Sequence, residues 1–142
     1  MEVNVQHRPS YALAVAQLDP NEPIQVEAGS MVGMSAGVAV ETKARGGLLK
    51  SLARSMLGGE SFFINTYRAS SRGGRVLLAP ALPGDIVVRQ LEQETLLVQS
   101  GSYVASSEGV DVSTGWGGAK TFFAREGLIL LRISGAGTLV LS

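Results

Sequence analysis

Few residues in this chain could do chemistry. Its 142 residues include no cysteine and a single histidine, His7. That excludes thiol catalysis, disulfide frameworks and cysteine-ligated metals, and it leaves no multi-histidine metal site. His7, near one end, makes a poor member of a nucleophilic triad. Glu60 and Glu126 each stand just before an apolar run. A carboxylate-pair hydrolase needs two acids at a set separation in one cleft, and a solvated place at a strand edge is the plainer reading of both. Asp19, Asp85 and Asp111 are scattered. The glycine-rich pieces RGG and GWGG lack the spacing of a phosphate-binding loop.

The clearest local feature is charge. Between Glu41 and Glu60 no acid occurs, but Lys43, Arg45, Lys50 and Arg54 do. Lys50 and Arg54 share a helix face opposite leucines, so the segment reads as a basic amphipathic stretch for a membrane surface or an acidic partner. The alternative is that the leucines dock on the protein's own sheet and the charges are simply solvated. Trp116 lies in TGWGGAK with Lys120, Phe122 and Phe123 close by. It could stack on a ligand or anchor an interface, or it could close an open end of the core. The candidate binding residues are therefore Lys43, Arg45, Lys50, Arg54, Trp116 and Lys120. Pro80, Pro83 and Gly84 read either as a binding loop or as a rigid connection.

The elements that must position these residues are short. Apolar stretches such as YALAVAQL (11–18), SFFINTY (61–67), RVLLA (75–79) and LILLRI (128–133) recur between Gly, Pro, Ser and Asn. Turn signals every 8–12 residues predict an all-β fold. One stretch differs: LLKSLARSML (48–57) has its apolar residues on one helical face between two glycine pairs. That spacing predicts one short helix near 48–57.

The chain also repeats itself. VEAGSMVGMSAGVAVET (26–42) aligns without a gap on VQSGSYVASSEGVDVST (98–114), and nine of the seventeen positions are identical. The match extends outward, RVLLA (75–79) to TLVLS (138–142) and residues 11–18 to 84–91. The expected organisation is a single β domain over 1–142, made of two pseudo-repeats at about 11–79 and 84–142. Segments 26–42 and 98–114 should then be equivalent strands about a pseudo-twofold axis.

The motifs EAGSMVGM (27–34), GGLLKSLARSMLGGESFF (46–63), APALPGDI (79–86), SGSYVASSEGVDV (100–112) and REGLILLRISGAGTLVLS (125–142), in this order, resemble the altered-inheritance-of-mitochondria twenty-four family. The resemblance covers most of the chain. It implies a double-stranded β-helix, jelly-roll-like, similar to the tryptophan RNA-binding attenuation protein, and it implies no known biochemical activity. Its mitochondrial members are linked to inner-membrane architecture. Family members usually continue past GAGTLVLS, so the chain is expected to be short at its C-terminus.

Twelve basic residues balance twelve acidic ones, and aromatics are 6% of the chain, which does not favour nucleic acid. One histidine argues against a cupin-like metal enzyme. No run approaches a membrane span, and the first residues lack the apolar segment of a secretory signal. The expectation is a cytoplasmic, non-enzymatic binding or scaffold protein without cofactor or metal. It should form homo-oligomers and could lie against a membrane or an acidic partner. RNA binding, by fold analogy, and small-molecule binding are the alternatives.

Overall fold

The computed structural model describes residues 1–41, 62–114 and 130–142. The helix expected at 48–57 lies outside the described residues.

The described chain is all-β apart from one 3-10 turn at Ser100–Ser102. A four-stranded sheet has the order β1 (Glu2–Gln6), β2 (Leu13–Leu18), β7 (Gly74–Leu78), β4 (Met31–Met34). A larger sheet has the order β10 (Val110–Thr114), β11 (Leu130–Leu141), β9 (Tyr103–Ser107), β3 (Pro23–Glu27), β6 (Ile64–Arg68), β5 (Ala39–Glu41). The thirteen-residue β8 (Val87–Gln99) joins it by pairing with β11.

Period-two patterning decides which faces turn inward. In β2, Ala14, Ala16 and Leu18 are buried, while Leu13 and Val15 are half-buried and Gln17 is exposed. These residues pack with Val76 and Leu78 of β7 against Ile24 and Val26 of β3 and Val104 and Ala105 of β9. The four-stranded sheet thus closes over the larger one, as in a sandwich. A second apolar cluster joins Phe62, Tyr103, Val110, Leu131, Ile133 and Leu139. Each large apolar side chain sequestered this way is worth roughly 1.5–3 kcal/mol.

The same strand ladders occur in both halves. Pro23 pairs with Arg68 and Glu27 with Ile64. At the 72-residue offset of the sequence alignment, Thr95 pairs with Ser134 and Gln99 with Leu130. Val40 pairs with Tyr67, and Val112 with Ile133. Gly33 pairs with Leu77 and Ala105 with Val140, and each ladder then shifts register before the next pair, Met31 with Leu78 and Tyr103 with Leu141. Leu18 faces Gly74, and Leu91 faces Gly137.

The halves turn their corners differently. In the first, β2 reaches β3 through Asp19–Glu22, where Asn21 has φ 61 and Glu22 N–H donates to the Asp19 carbonyl at 3.0 Å. Pro followed by a left-handed Asn is the chemistry of a type II turn. Strand β6 reaches β7 through Ser70–Gly73, with Gly73 at φ 79. In the second half, the stretches read as separate in the sequence are continuous in β8 and β11. These strands bend at Gln93 (φ 61) and at a register shift between Gly135 and Ala136. β-Bulges and glycines carry a bend without breaking a strand.

Candidate binding surface

Two copies of a Gly-Ser turn meet at one cleft. The turn after β3 is folded by Glu27, whose Oε2 accepts from Gly29 N–H at 2.7 Å and from Ser30 Oγ at 3.1 Å. The turn after β8 has Gln99 in the Glu27 position and forms the 3-10 turn. Each turn receives the end of a strand: Ala79 N–H donates to the Ser30 carbonyl, and Ser142 N–H to the Ser102 carbonyl, both at 2.9 Å. Between the turns lies a cleft of about 300 Å³, walled by Glu27, Ser30, Phe62, Pro80, Ser100 and Tyr103.

Tyr103 organises its floor. The residue is buried, and its ring meets Phe62 edge-on at 5.7 Å. Its hydroxyl shares a 2.9 Å hydrogen bond with Ser106 Oγ and donates to the Gln25 carbonyl at 3.4 Å. Burial pushes this phenol well above its ordinary pKa, opposed by the Ser106 hydrogen bond and reinforced by the Glu27 charge. At neutral pH it stays protonated. One Glu27 oxygen is taken up by its own turn.

A second depression, of about 230 Å³, lies across Pro80 and Ala81 and is bordered by Tyr11, Leu82, Pro83 and Gly84. Tyr11 and Leu82 are largely exposed at its lip. The connection is held by Ala12 N–H donating to the Gly84 carbonyl at 3.1 Å. Beside it, Arg8 grips Asp85: Nε to Oδ1 at 2.9 Å and Nη2 to Oδ2 at 2.9 Å. The Asp85 carboxyl is held below the usual carboxylate range, first by Arg8 and then by the Ile86 N–H.

A carboxylate whose folded pKa is depressed stabilises the fold above its unfolded pKa, and that contribution is lost as pH falls through the folded value. Asp85→Asn should therefore flatten the dependence of the melting temperature on pH below about pH 4, where an ordinary Asp titrates. Melting curves at stepped pH check this. Coincident slopes for the two proteins would mean that the exposed pair adds nothing to stability.

The six residues singled out from sequence lie outside the described residues: Lys43, Arg45, Lys50 and Arg54 within 42–61, and Trp116 and Lys120 within 115–129. Glu60 and Glu126 lie there too. His7 follows β1 and is exposed. Among the described residues, no group of three His, Asp or Glu side chains is gathered to hold a metal. No helix among them is long and apolar enough to cross a membrane. The Glu27–Tyr103 cleft was not picked out as a site, although its signal was in view: the aligned Gly29 and Gly101 both line it, with Ser30 beside them.

The fold is that of an all-β protein of two curled sheets, with a cleft between its strand-end turns. The family described as mitochondrial biogenesis AIM24 matches residues 3–142. The chain belongs to this family. It is 28% identical over 148 aligned residues to an uncharacterized protein of Streptococcus pyogenes serotype M6, covering 99% of this chain and 59% of that protein. A crystal structure of a Streptococcus pyogenes protein superposes with a TM-score of 0.74 at 26% identity, over 99% of this chain and 63% of that one. The chain thus spans about three fifths of the length of both relatives.

Proposed function

We propose that the chain is a non-enzymatic scaffold that acts by binding, one of its contacts being an acidic surface met by the basic stretch Lys43, Arg45, Lys50 and Arg54. The observation that carries the scaffold reading is where exposed apolar side chains lie. Val32 and Met34 on β4, Leu97 on β8, and Tyr11 and Leu82 beside the inter-half connection are all open to solvent. These are surfaces for contact, away from any gathering of titratable groups. The acidic-surface part rests on charge: four cations and no acid between Glu41 and Glu60.

Flotation with vesicles tests it. The chain should bind vesicles containing phosphatidylglycerol and ignore pure phosphatidylcholine, with binding fading as salt rises. Lys50→Glu with Arg54→Glu should weaken binding at least about 30-fold, since each cation near an anionic surface contributes about 1 kcal/mol and reversal also adds repulsion. Binding that ignores salt and the double reversal, or no binding to anionic vesicles at all, rejects the acidic-surface reading. Equal retention of a single-stranded RNA would move the assignment to nucleic acid.

A further inference from the structure

Half-buried carboxylates in this fold are paired with a cation, with one exception. Four acidic side chains among the described residues are half-buried: Glu22, Glu27, Asp85 and Glu94. The Met1 ammonium meets Glu22 at 2.7 Å, Arg8 meets Asp85 at 2.9 Å, and Arg89 meets Glu94 at 2.7 Å. Glu27 makes no ion pair with a described residue. Its Oε2 is occupied by the Gly29 N–H and the Ser30 hydroxyl, and its Oε1 accepts no hydrogen bond from the described residues. Withdrawing a charge from water without a partner is costly, so an unpaired carboxylate in a recess is a place for a cation.

The cleft that Glu27 lines holds a second unmatched group. Ser100 is only 6% exposed and forms part of the same wall. Its carbonyl accepts from the Tyr103 N–H, but its hydroxyl makes no hydrogen bond with the described residues. Among those residues, no side-chain oxygen or nitrogen shut off from solvent is left without a partner. The Ser100 hydroxyl therefore keeps an opening, and the cleft is the space that Ser100 borders. Phe62, Pro80, Tyr103 and Val104 supply hydrocarbon to the wall, and none of the described lining residues is basic. A cleft of about 300 Å³ takes about ten non-hydrogen atoms, at the roughly 30 Å³ that each water occupies in the liquid.

We infer that this cleft binds a small primary ammonium compound with an apolar body, its head held by Glu27 Oε1 and the Ser100 hydroxyl and its hydrocarbon against Phe62 and Pro80. An ammonium carries three N–H donors and no acceptor, which matches an open carboxylate oxygen and an open hydroxyl. An anion of the same size meets repulsion from Glu27, and a neutral alcohol leaves that charge unanswered. In the other half the matching position is Gln99, so the repeated unit is built there without the carboxylate. The charge is thus a property of this one turn rather than a need of the fold. The site goes beyond the scaffold reading and is separate from the basic stretch. Amine binding can therefore fail while binding to acidic vesicles stands, and the reverse.

Titration of the unaltered chain with phenethylammonium, followed by nuclear magnetic resonance, tests the inference. The amide signals of Gly29, Ser30 and Gly101 should shift and saturate in the low-millimolar range. Hydrocinnamate, the anion of matching shape, and phenethyl alcohol, its neutral counterpart, should leave them in place at the same concentrations. Glu27→Gln keeps an oxygen acceptor for the turn and removes the charge, and it should weaken amine binding about tenfold or more. Ser100→Ala removes one acceptor and should weaken it about fivefold. Circular dichroism melts establish that both variants fold. Shifts that do not saturate, shifts centred away from the cleft, equal binding of the alcohol, or full-strength binding by folded Glu27→Gln would each overturn the inference. The three-probe comparison uses only the unaltered chain, so it decides the matter even where a variant does not fold.

Discussion

Gly137→Val is expected to lower stability by about 3–5 kcal/mol, the sum of backbone strain and a lost buried hydrogen bond. Gly137 has φ 138, a conformation that side chains with a β-carbon rarely adopt. A Cβ there would also run into Ser107 Oγ. That hydroxyl accepts the N–H of the buried Thr138 at 3.0 Å, so the intruding carbon displaces the partner of a sequestered amide. Urea melts measure the loss. Gly101→Ala is the control: nothing lies within 4 Å of its added carbon, and the change should be under about 0.5 kcal/mol. If Gly137→Val melts like the unaltered chain, the corner of the second half does not depend on this glycine.

The second large effect is Ile24→Ala. Ile24 is fully buried between the sheets, and truncation there should cost about 3–4 kcal/mol for lost transfer energy and the cavity left behind. Leu96, its counterpart in the ladder, is only half-buried. Leu96→Ala should cost about half as much in dilute protein, because less area leaves water in the first place. Denaturant melts of both variants make the comparison. Equal costs in dilute solution would mean that the two positions are already equally sequestered in one chain.

Much of the fold was legible because strand signals are local. The inward alanines and leucine of β2 alternate as a half-buried strand must, and the spacing of turn residues announced an all-β chain. Strand β1 was missed although Glu2–Gln6 alternates strictly: it offers only two apolar residues, Val3 and Val5, and it is held by the pairing of Glu2 through Gln6 with Gln17 back to Leu13. The stretches at 128–133 and 138–142 were read apart, but tertiary pairing of β11 with β8 carries one strand through both. Strand pairing is non-local, and composition does not report it. The cleft was hidden for the same reason. Its residues come from turns seventy positions apart, and only the repeated Gly-Ser hinted that they meet.

The two ways of turning a corner have a consequence for what the chain can accept. In the first half the corner at Ser70–Gly73 is a hairpin tip whose Ser71 and Arg72 are exposed, held by Gly73 N–H donating to the Ser70 carbonyl at 3.0 Å. Added length there only lengthens a surface loop, and loop entropy grows slowly with length. In the second half the corner is the strand itself, bent at Gln93 and Gly135 with its ladder continuing on both sides. An insertion there would shift the register of every pair beyond it and turn inward-facing side chains out. Cargo such as an epitope or a fluorescent reporter therefore has a natural port between Ser71 and Arg72, and none at the matching place in the other half.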